Sequence, residues 1–205
     1  MAINEQKIIE GVHGLSFAGD DNGLIRRFGV LLNNTLADYF NDFSFGFEEA
    51  VIKSHGKEFA EIARSLLSHA AQDCAVNTFF GITLSDAWKG LIEPMIENEE
   101  DRIRGLVAVE NALGWAKNEL IELIPGEKLV LRSSGGYEET GFQQKYGTTD
   151  HGVCYMLNGV AAGFMDLVYG PGLGVENLAT FEAKEVKCKA KGDEYCEFVV
   201  TRREE

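Results

Sequence analysis

The sequence has little positive charge, no long apolar run and no segment of low complexity. Its 19 lysine and arginine residues are outnumbered by 33 aspartate and glutamate residues, which gives a net charge of −14 at pH 7. No run of Lys or Arg offers a basic patch for nucleic-acid phosphates or anionic lipid head groups. We therefore expect neither nucleic acid nor a membrane surface as a partner, and the acidic balance is typical of a soluble protein.

Signals that direct a chain into or across a membrane are missing as well. No apolar stretch reaches the roughly 18 residues that a membrane-spanning helix needs. The segment MAINEQKIIEG lacks the basic start and the apolar stretch of a signal peptide. The sequence thus predicts a cytoplasmic protein. Because thiols stay reduced there, clustered cysteines serve a metal ion or catalysis more often than disulfides.

Several fingerprints of enzyme chemistry are also absent. The glycine-rich segment PGLG at 171–174 follows a predicted helix, whereas a phosphate-cradling loop precedes one. No Ser/His/Asp order and no paired carboxylates stand out. These absences argue against a reductase that binds a nicotinamide or flavin cofactor.

Hydrophobic periodicity predicts a helical N-terminal half. Apolar residues recur near a 3.6-residue period over 24–43, 55–79 and 100–113, and a short helix is predicted over 85–94. The helix over 24–43 is a candidate for a symmetric dimer interface, although burial within the monomer explains its pattern equally well. Cys74 lies on the apolar stripe of the second helix, where we expect a buried and inert thiol.

The C-terminal half has a different texture. The segments 115–124 and 128–133 flank the turn sequence PGEK and predict a hairpin, and 180–189 with 195–202 predict a second hairpin. Alternation of apolar and polar residues is clear in the last of these segments. Both hairpins belong to one antiparallel sheet in this interpretation.

A long loop is expected over 135–150, followed by a helix over 152–169 that is rich in small residues. Such residues weaken an isolated helix, so their presence indicates a close packing neighbour. We predict an α+β fold in which a helical N-terminal region, 1–113, packs on the antiparallel sheet of a second region, 114–205. The two regions form one compact unit in this prediction.

The cysteines carry the clearest chemical signal. Cys188 and Cys196 lie on opposite arms of the last predicted hairpin, so their thiols can meet. Glu185 precedes Cys188 by three residues, and Cys154 lies near the start of the small-residue helix. Zinc prefers four such ligands in a tetrahedron. From spacing alone, free or buried thiols explain the pattern as well as zinc does. Nearby cations that could balance the ligands are Lys184, Lys187, Lys189 and Lys191.

Three motifs extend this signal: C-YMLN-G-VAA-G at 154–163, E-VK-C at 185–188 and G-DEY-C-EF at 192–198. Together they resemble the 4-vinyl reductase domain family, over roughly 114–201. That family includes aromatic-sensing input domains of phenol- and toluene-responsive bacterial transcription activators, a bacteriochlorophyll-pathway protein and archaeal proteins called hydrocarbon-binding.

The resemblance implies that Cys154, Glu185, Cys188 and Cys196 bind one Zn²⁺ ion, which pins the last hairpin to the small-residue helix. It also implies a pocket for a small hydrophobic or aromatic molecule. One departure from the family is an apparent insertion, GPGLGVENLAT at 170–180, which we expect to be a loop that leaves the metal site intact.

Pockets for such molecules are mostly apolar with a few placed polar groups. The candidate ligand-binding residues are His151, Tyr155, Asn158, Trp115 and Phe79. For each aromatic residue a place in the core is the simpler interpretation, and for His151 the simpler interpretation is a helix-start residue.

The leading hypothesis is a zinc-stabilised cytoplasmic domain that binds a small organic molecule and forms a homodimer. The family's sensors join this domain to an ATPase and a DNA-binding module that have no counterpart in this sequence, so we expect a stand-alone binder, a partner-regulated sensor or an enzyme. The alternative is a catabolic enzyme, of hydrolase or lyase type, that acts on a small cyclic or aromatic compound in the same pocket. A third interpretation is an interaction protein, since trafficking-complex subunits share this fold class.

Overall fold

The structure, a computed structural model, describes residues 3–171 and 180–203 and confirms the α+β class. The helices are α1 (Glu5–His13), α2 (Ala37–His55), α3 (Ala60–Leu84), α4 (Asp86–Leu91), α5 (Glu99–Ala112), α6 (Tyr137–Tyr146) and α7 (Tyr155–Tyr169). The strands are β1 (Ile25–Arg27), β2 (Val30–Leu32), β3 (Ala116–Ile124), β4 (Lys128–Gly136), β5 (Phe181–Lys187) and β6 (Cys196–Arg202). Short 3₁₀ turns lie at Lys57–Phe59, Glu93–Met95 and Lys189–Lys191.

The main sheet is antiparallel, with the strand order β3-β4-β6-β5, so the two predicted hairpins meet along β4 and β6. Phe198 and Val200 of β6 are fully buried on the face that α7 covers. Strand β5 forms one edge of the sheet and lies against helices α3 and α7. There the side-chain amides of Gln72 and Asn158 donate to the carbonyl oxygens of Phe181 and Ala183, at 2.8 and 2.9 Å. These bonds satisfy backbone groups that an edge strand leaves unpaired.

Helix α7 packs against α3 at unusually short range. A Cβ atom at Gly159 would overlap the carbonyl oxygen of Ser68, and one at Gly163 would lie 2.8 Å from the Cβ of Ala75. The close neighbour that the small residues predicted is therefore α3. Glycine is needed at 159 because the opposing atom is rigid backbone.

The predicted helix over 24–43 is wrong in its first part. Residues 25–32 form the β1–β2 hairpin, because Phe28 and Gly29 turn the chain with φ values of 53° and 71°. The helix begins only at Ala37. Its buried face is not the predicted apolar face, since the helix buries Asn41, Ser44, Phe45 and Glu48. The apolar residues at its start, Leu36, Tyr39, Phe40 and Phe43, are exposed.

Three further expectations need correction. The predicted loop over 135–150 contains helix α6, whose start is fixed by the carboxylate of Glu139, which accepts from the N–H of Gly136. The first twenty residues, for which no helix or strand was predicted, contain α1, capped by Asn4. Cys74 is exposed, because the buried stripe of α3 runs through Ala63, Leu67, Ala71 and Ala75, one step around the helix.

One hydrophobic core draws residues from both predicted regions, including Phe79 and Trp88 from the first and Phe164 and Phe198 from the second. The division at residue 113 stays a prediction. The insertion at 170–180 and the PGLG segment fall mostly within 172–179, outside the described residues. Among the described residues, no helix combines the length and the apolar character that a membrane crossing requires.

Candidate metal centre and adjoining groove

Four residues from three elements converge at one end of the sheet. Cys154 is the N-cap residue of α7, Glu185 lies on β5, Cys188 follows the end of β5, and Cys196 begins β6. A β-bulge between Glu185 and Lys187 shifts the register of β5 at this point, and bulges often re-aim side chains at functional sites. The chain between the two hairpin cysteines is tightened by Asp193, whose carboxylate accepts from the N–H of Cys188 at 2.8 Å.

The potential ligand atoms of these residues all lie within 4.8 Å of one another. The sulfur atoms of Cys154 and Cys196 are 3.8 Å apart. A tetrahedral site with metal–sulfur bonds of about 2.3 Å requires a sulfur–sulfur separation of about 3.8 Å. All three cysteines are fully buried. The cluster therefore has the size and the donor atoms of a four-ligand metal site.

The carboxylate of Glu185 is held as a metal ligand would be. Its Oε2 accepts from the backbone N–H of Cys154 at 3.0 Å, while its Oε1 is buried without a hydrogen-bond partner among the described residues. A buried oxygen without a partner is costly unless another group, such as a cation, binds it. Gly152 makes the arrangement possible, because a Cβ atom there would overlap this carboxylate.

Burial and mutual repulsion set the protonation of the cluster when no metal is bound. Burial, and then the charge of Cys188, raise the pKa of Glu185 to about 9. Burial also raises the pKa of the Cys154 thiol, whereas hydrogen bonds from Cys154 and Cys196 lower the pKa of Cys188. The cluster thus holds protons at neutral pH, and a metal ion that binds there must displace them.

Two buried acidic residues at this end were not anticipated. Glu138 accepts from the backbone N–H groups of Met156 and Leu157 at 3.0 and 2.9 Å, and so satisfies free donors at the start of α7. The carboxylate of Glu139 lies 3.6 Å from the Cys154 sulfur. Both residues lie in the segment that was predicted to be a loop. A Glu three residues after Gly136 was the signal for a helix start.

The lysines expected to balance the cluster bind elsewhere. The ammonium of Lys187 donates to the Tyr195 hydroxyl at 2.6 Å, and that of Lys189 to the carbonyl of Ser134 at 2.9 Å. Lys191 is paired with Asp193, and Lys184 is exposed on the groove described below. The cluster instead receives a backbone donor, the N–H of Lys189, at 3.3 Å from the Cys196 sulfur.

A groove of about 710 Å³ runs between α3 and the β5 edge, with α7 as its floor. Cys154 and Glu185 line one end of it. The polar candidates His151, Tyr155 and Asn158 also line the groove, so the structure brings these three together beside Cys154 and Glu185. Its volume lies within the range of about 300–1,000 Å³ that small-molecule sites occupy.

A polar network centred on Glu48 lies at the end of the groove that Cys154 and Glu185 line, which we call the metal end. The Glu48 carboxylate accepts from the Tyr155 hydroxyl at 2.5 Å and from Arg64 at 2.8 Å. The Nε2 atom of His151 lies 3.7 Å from the same carboxylate. Arg64 is therefore neutralised by a buried partner.

The two apolar candidates lie elsewhere. Phe79 is fully buried, with its ring centroid 4.8 Å from that of Phe164 and 6.1 Å from that of Trp115. This aromatic cluster belongs to the hydrophobic core. Contact of Phe79 or Trp115 with a ligand stays a prediction, and neither residue lines the groove.

The chain shares its fold with sensory and transport-related domains. The phenol-responsive sensory domain of the transcription activator PoxR, solved with phenol, superposes with a TM-score of 0.70 over 98% of this chain and 92% of that chain, at 14% identity. Subunit 3 of a trafficking protein particle complex from Naegleria fowleri, covalently bound to palmitic acid, superposes with a TM-score of 0.53 over 82% and 95%, at 13% identity.

A vinyl-4-reductase family protein from Methanocaldococcus jannaschii gives a TM-score of 0.47, at 15% identity, over 84% of this chain and 85% of that one. No protein-family profile and no curated protein sequence matches the chain. The sequence resemblance to sensor domains is thus confirmed at the level of the fold.

Proposed function

We propose that this chain is a zinc-stabilised domain that binds a small organic molecule in the groove beside its metal site. The observation that carries the proposal is the cluster of Cys154, Glu185, Cys188 and Cys196, with three buried sulfurs and one buried carboxylate oxygen that has no hydrogen-bond partner in the described part of the chain. Thiolates favour zinc over harder divalent cations such as Mg²⁺ and Ca²⁺.

A zinc ion with four protein ligands supplies a structural cross-link, because no coordination position is left open for substrate. In this chain the cross-link would join the start of α7 to β5 and β6. The protein's own residues prepare it: Cys154 and Glu185 are already joined by a hydrogen bond, and Asp193 shapes the turn that carries Cys188. The metal end of the groove would thereby become rigid.

Two features support ligand binding in the groove. The first is its polar wall, in which His151, Tyr155 and Asn158 are oriented by fixed partners, as binding residues usually are. The second is the fold shared with PoxR's sensory domain, which responds to phenol. Aromatic compounds are therefore the first ligands to test.

The direct experiment measures metal and ligand separately. Protein purified without added metal should contain one zinc per chain by mass spectrometry of the digested sample, and Cys188→Ser should lose it. The matched control is Cys74→Ser, which changes an exposed thiol outside the cluster. Calorimetric titration with phenol then tests the groove, with Asn158→Leu as the variant that should weaken binding. A zinc-free wild type, or zinc retained in Cys188→Ser, would contradict the metal assignment.

The second candidate function is an enzyme of hydrolase or lyase type that acts on a small cyclic compound. One observation favours it: Glu185 is both a potential metal ligand and a groove-lining residue. A carboxylate that moved aside would admit water to the metal and turn the site into a catalytic one. Turnover that disappears in Glu185→Ala while zinc is retained would select this function over simple binding.

The chain also acts as a homodimer in this proposal. Helix α2 exposes Leu36, Tyr39, Phe40 and Phe43 along one stripe, with exposed fractions of 79% for Leu36 and 57% for Phe43. Contiguous apolar surface of this kind marks interaction sites, and most homo-oligomers are twofold symmetric. A second copy that packs its own α2 on this stripe would bury it.

A further inference from the structure

The end of the groove farthest from the metal cluster has a different character. There α3 contributes His69 and Gln72, and strands β5 and β6 contribute Glu182 and Thr201. Arg203, the residue after β6, also lines this end. Gln72 is engaged, because its amide donates to Asp166 at 2.6 Å and to the carbonyl of Phe181 at 2.8 Å. The arginine and the histidine remain as the groups that could bind a ligand.

Among the described residues, Arg203 lacks the carboxylate partner that a partly buried arginine normally has. Within residues 3–171 and 180–203, no carboxylate oxygen lies within 4.0 Å of its guanidinium group, and its buried Nε–H has no acceptor. Glu182 lines the same end but is exposed and forms no such pair. The contrast with Arg64, whose carboxylate partner lies 2.8 Å away, is clear in a chain where acids far outnumber bases.

His69 holds Arg203 in place without neutralising it. The Nη2 atom of Arg203 contacts the Nε2 atom of His69. Burial, and then the charge of Arg203, lower the pKa of His69, so its imidazole is neutral at neutral pH and its Nε2 atom accepts a hydrogen bond from the guanidinium. The Nη2 side of the guanidinium is thus fixed by a neutral partner, and among the described residues the guanidinium has no ion-pair partner, although the charges of Asp73 and Glu182 act at this end of the groove.

We infer that this end of the groove binds the carboxylate of a small organic acid, which pairs with the guanidinium of Arg203 while the body of the acid lies along the floor at Gly159 and Ala162. Arginine binds planar carboxylates through two parallel hydrogen bonds, which favours this class over neutral ligands. The inference rests on the proposed binding of an organic molecule in the groove and adds its chemical class.

The groove also sets the length of the acid. Glu182 and Glu185 are three residues apart on β5, and at about 3.3 Å per residue the distance from the Arg203 end to the metal ligands is about 10 Å. Asn158 lies between them, since its amide donates to the carbonyl of Ala183. An acid of two fused or linked rings would span this distance, and a single-ring acid would occupy only the Arg203 end.

The test compares acids with their neutral amides on the purified, zinc-loaded chain. Benzoate and biphenyl-4-carboxylate are titrated by calorimetry beside benzamide, biphenyl-4-carboxamide and phenol. We expect each acid to bind at least about tenfold more tightly than its amide, the size of effect of one charge-assisted hydrogen bond. Arg203→Gln should abolish this difference by weakening the binding of the acids far more than that of the amides, and Arg203→Lys should retain part of it. The matched control is Arg26→Gln, an exposed arginine of β1.

A second readout does not depend on folding of a variant. In the wild type, the guanidinium Nη–H resonances of Arg203 should shift downfield on titration with an acid and shift much less with an amide. If neutral probes bind but acids bind no better, or if Arg203→Gln keeps the preference, the inference is overturned and the proposed function stands. If no probe of either kind binds with a Kd below about 1 mM, both are overturned.

Discussion

The contact between α3 and α7 allows a quantitative test, because it positions both Cys154 and the floor of the groove. Gly159→Ala adds a Cβ atom where the carbonyl oxygen of Ser68 now lies, with the Cβ of Ala71 at 2.8 Å and the backbone nitrogen of Gln72 at 2.9 Å. Because the opposing atoms are backbone, the two helices must move apart. Overpacking of this kind costs about 1–3 kcal/mol, and a site bounded by backbone belongs at the upper end.

Helix propensity partly offsets that cost, since alanine is favoured over glycine in a helix by about 1 kcal/mol. We expect a net loss of about 2 kcal/mol in the free energy of unfolding, measured by urea denaturation of the zinc-loaded protein. The matched control is Gly46→Ala on α2, where a Cβ atom meets nothing within 4 Å. That variant should gain up to about 1 kcal/mol. Equal stability of the two variants would refute the close packing of α3 on α7.

Three further perturbations have defined outcomes. Burial raises the pKa of Glu110 to about 7, above its ordinary 4.5, so the folded state binds this proton more tightly, and the proton contributes about 3 kcal/mol of stability that is lost as the pH rises from 4.5 through 7. Glu110→Gln should remove this part of the pH dependence in denaturation curves, unlike the exposed control Glu49→Gln. Replacing Leu36 and Phe43 by serine should convert the dimer into a monomer, as measured by light scattering, whereas Ile121→Ser should not. An unchanged dimer would exclude the exposed apolar stripe of α2 as the dimer interface. Glu138→Ala should cost about 2 kcal/mol in unfolding free energy by leaving two backbone donors at the start of α7 unpaired; no measurable loss would contradict its capping role.

Those helices and strands were predictable whose start or turn is set by a local sequence signal. The short helix that starts beside Ser85 is present as α4, with the Ser85 hydroxyl accepting from the N–H of Trp88 at 3.1 Å. The hairpin around PGEK is present as β3 and β4. Local chemistry decides such elements, and the sequence contains it.

The failures have a different origin. Over 24–43 the apolar spacing imitated a helix, but the Phe28–Gly29 turn and the polar residues 33–35, which follow β2, determine the structure. Periodicity also could not tell which side of α2 or α3 faces the core, because both helices carry more apolar residues than the monomer buries. That choice depends on tertiary packing.

The candidate site was predictable only through its cysteines. Hairpin geometry accounts for the approach of Cys188 to Cys196, but the position of Cys154 beside them depends on how α7 crosses the sheet. Glu48, Arg64 and Arg203 escaped notice because they come from distant parts of the chain and belong to no motif. Their roles follow from what they contact in the fold.

X-ray absorption at the zinc edge of the protein as purified tests the central claim most directly. We expect one zinc per chain with three sulfur ligands at about 2.3 Å and one oxygen ligand at about 2.0–2.2 Å, and loss of one sulfur in Cys196→Ser. A metal-free protein, or a zinc ion surrounded by nitrogen and oxygen atoms alone, would contradict it.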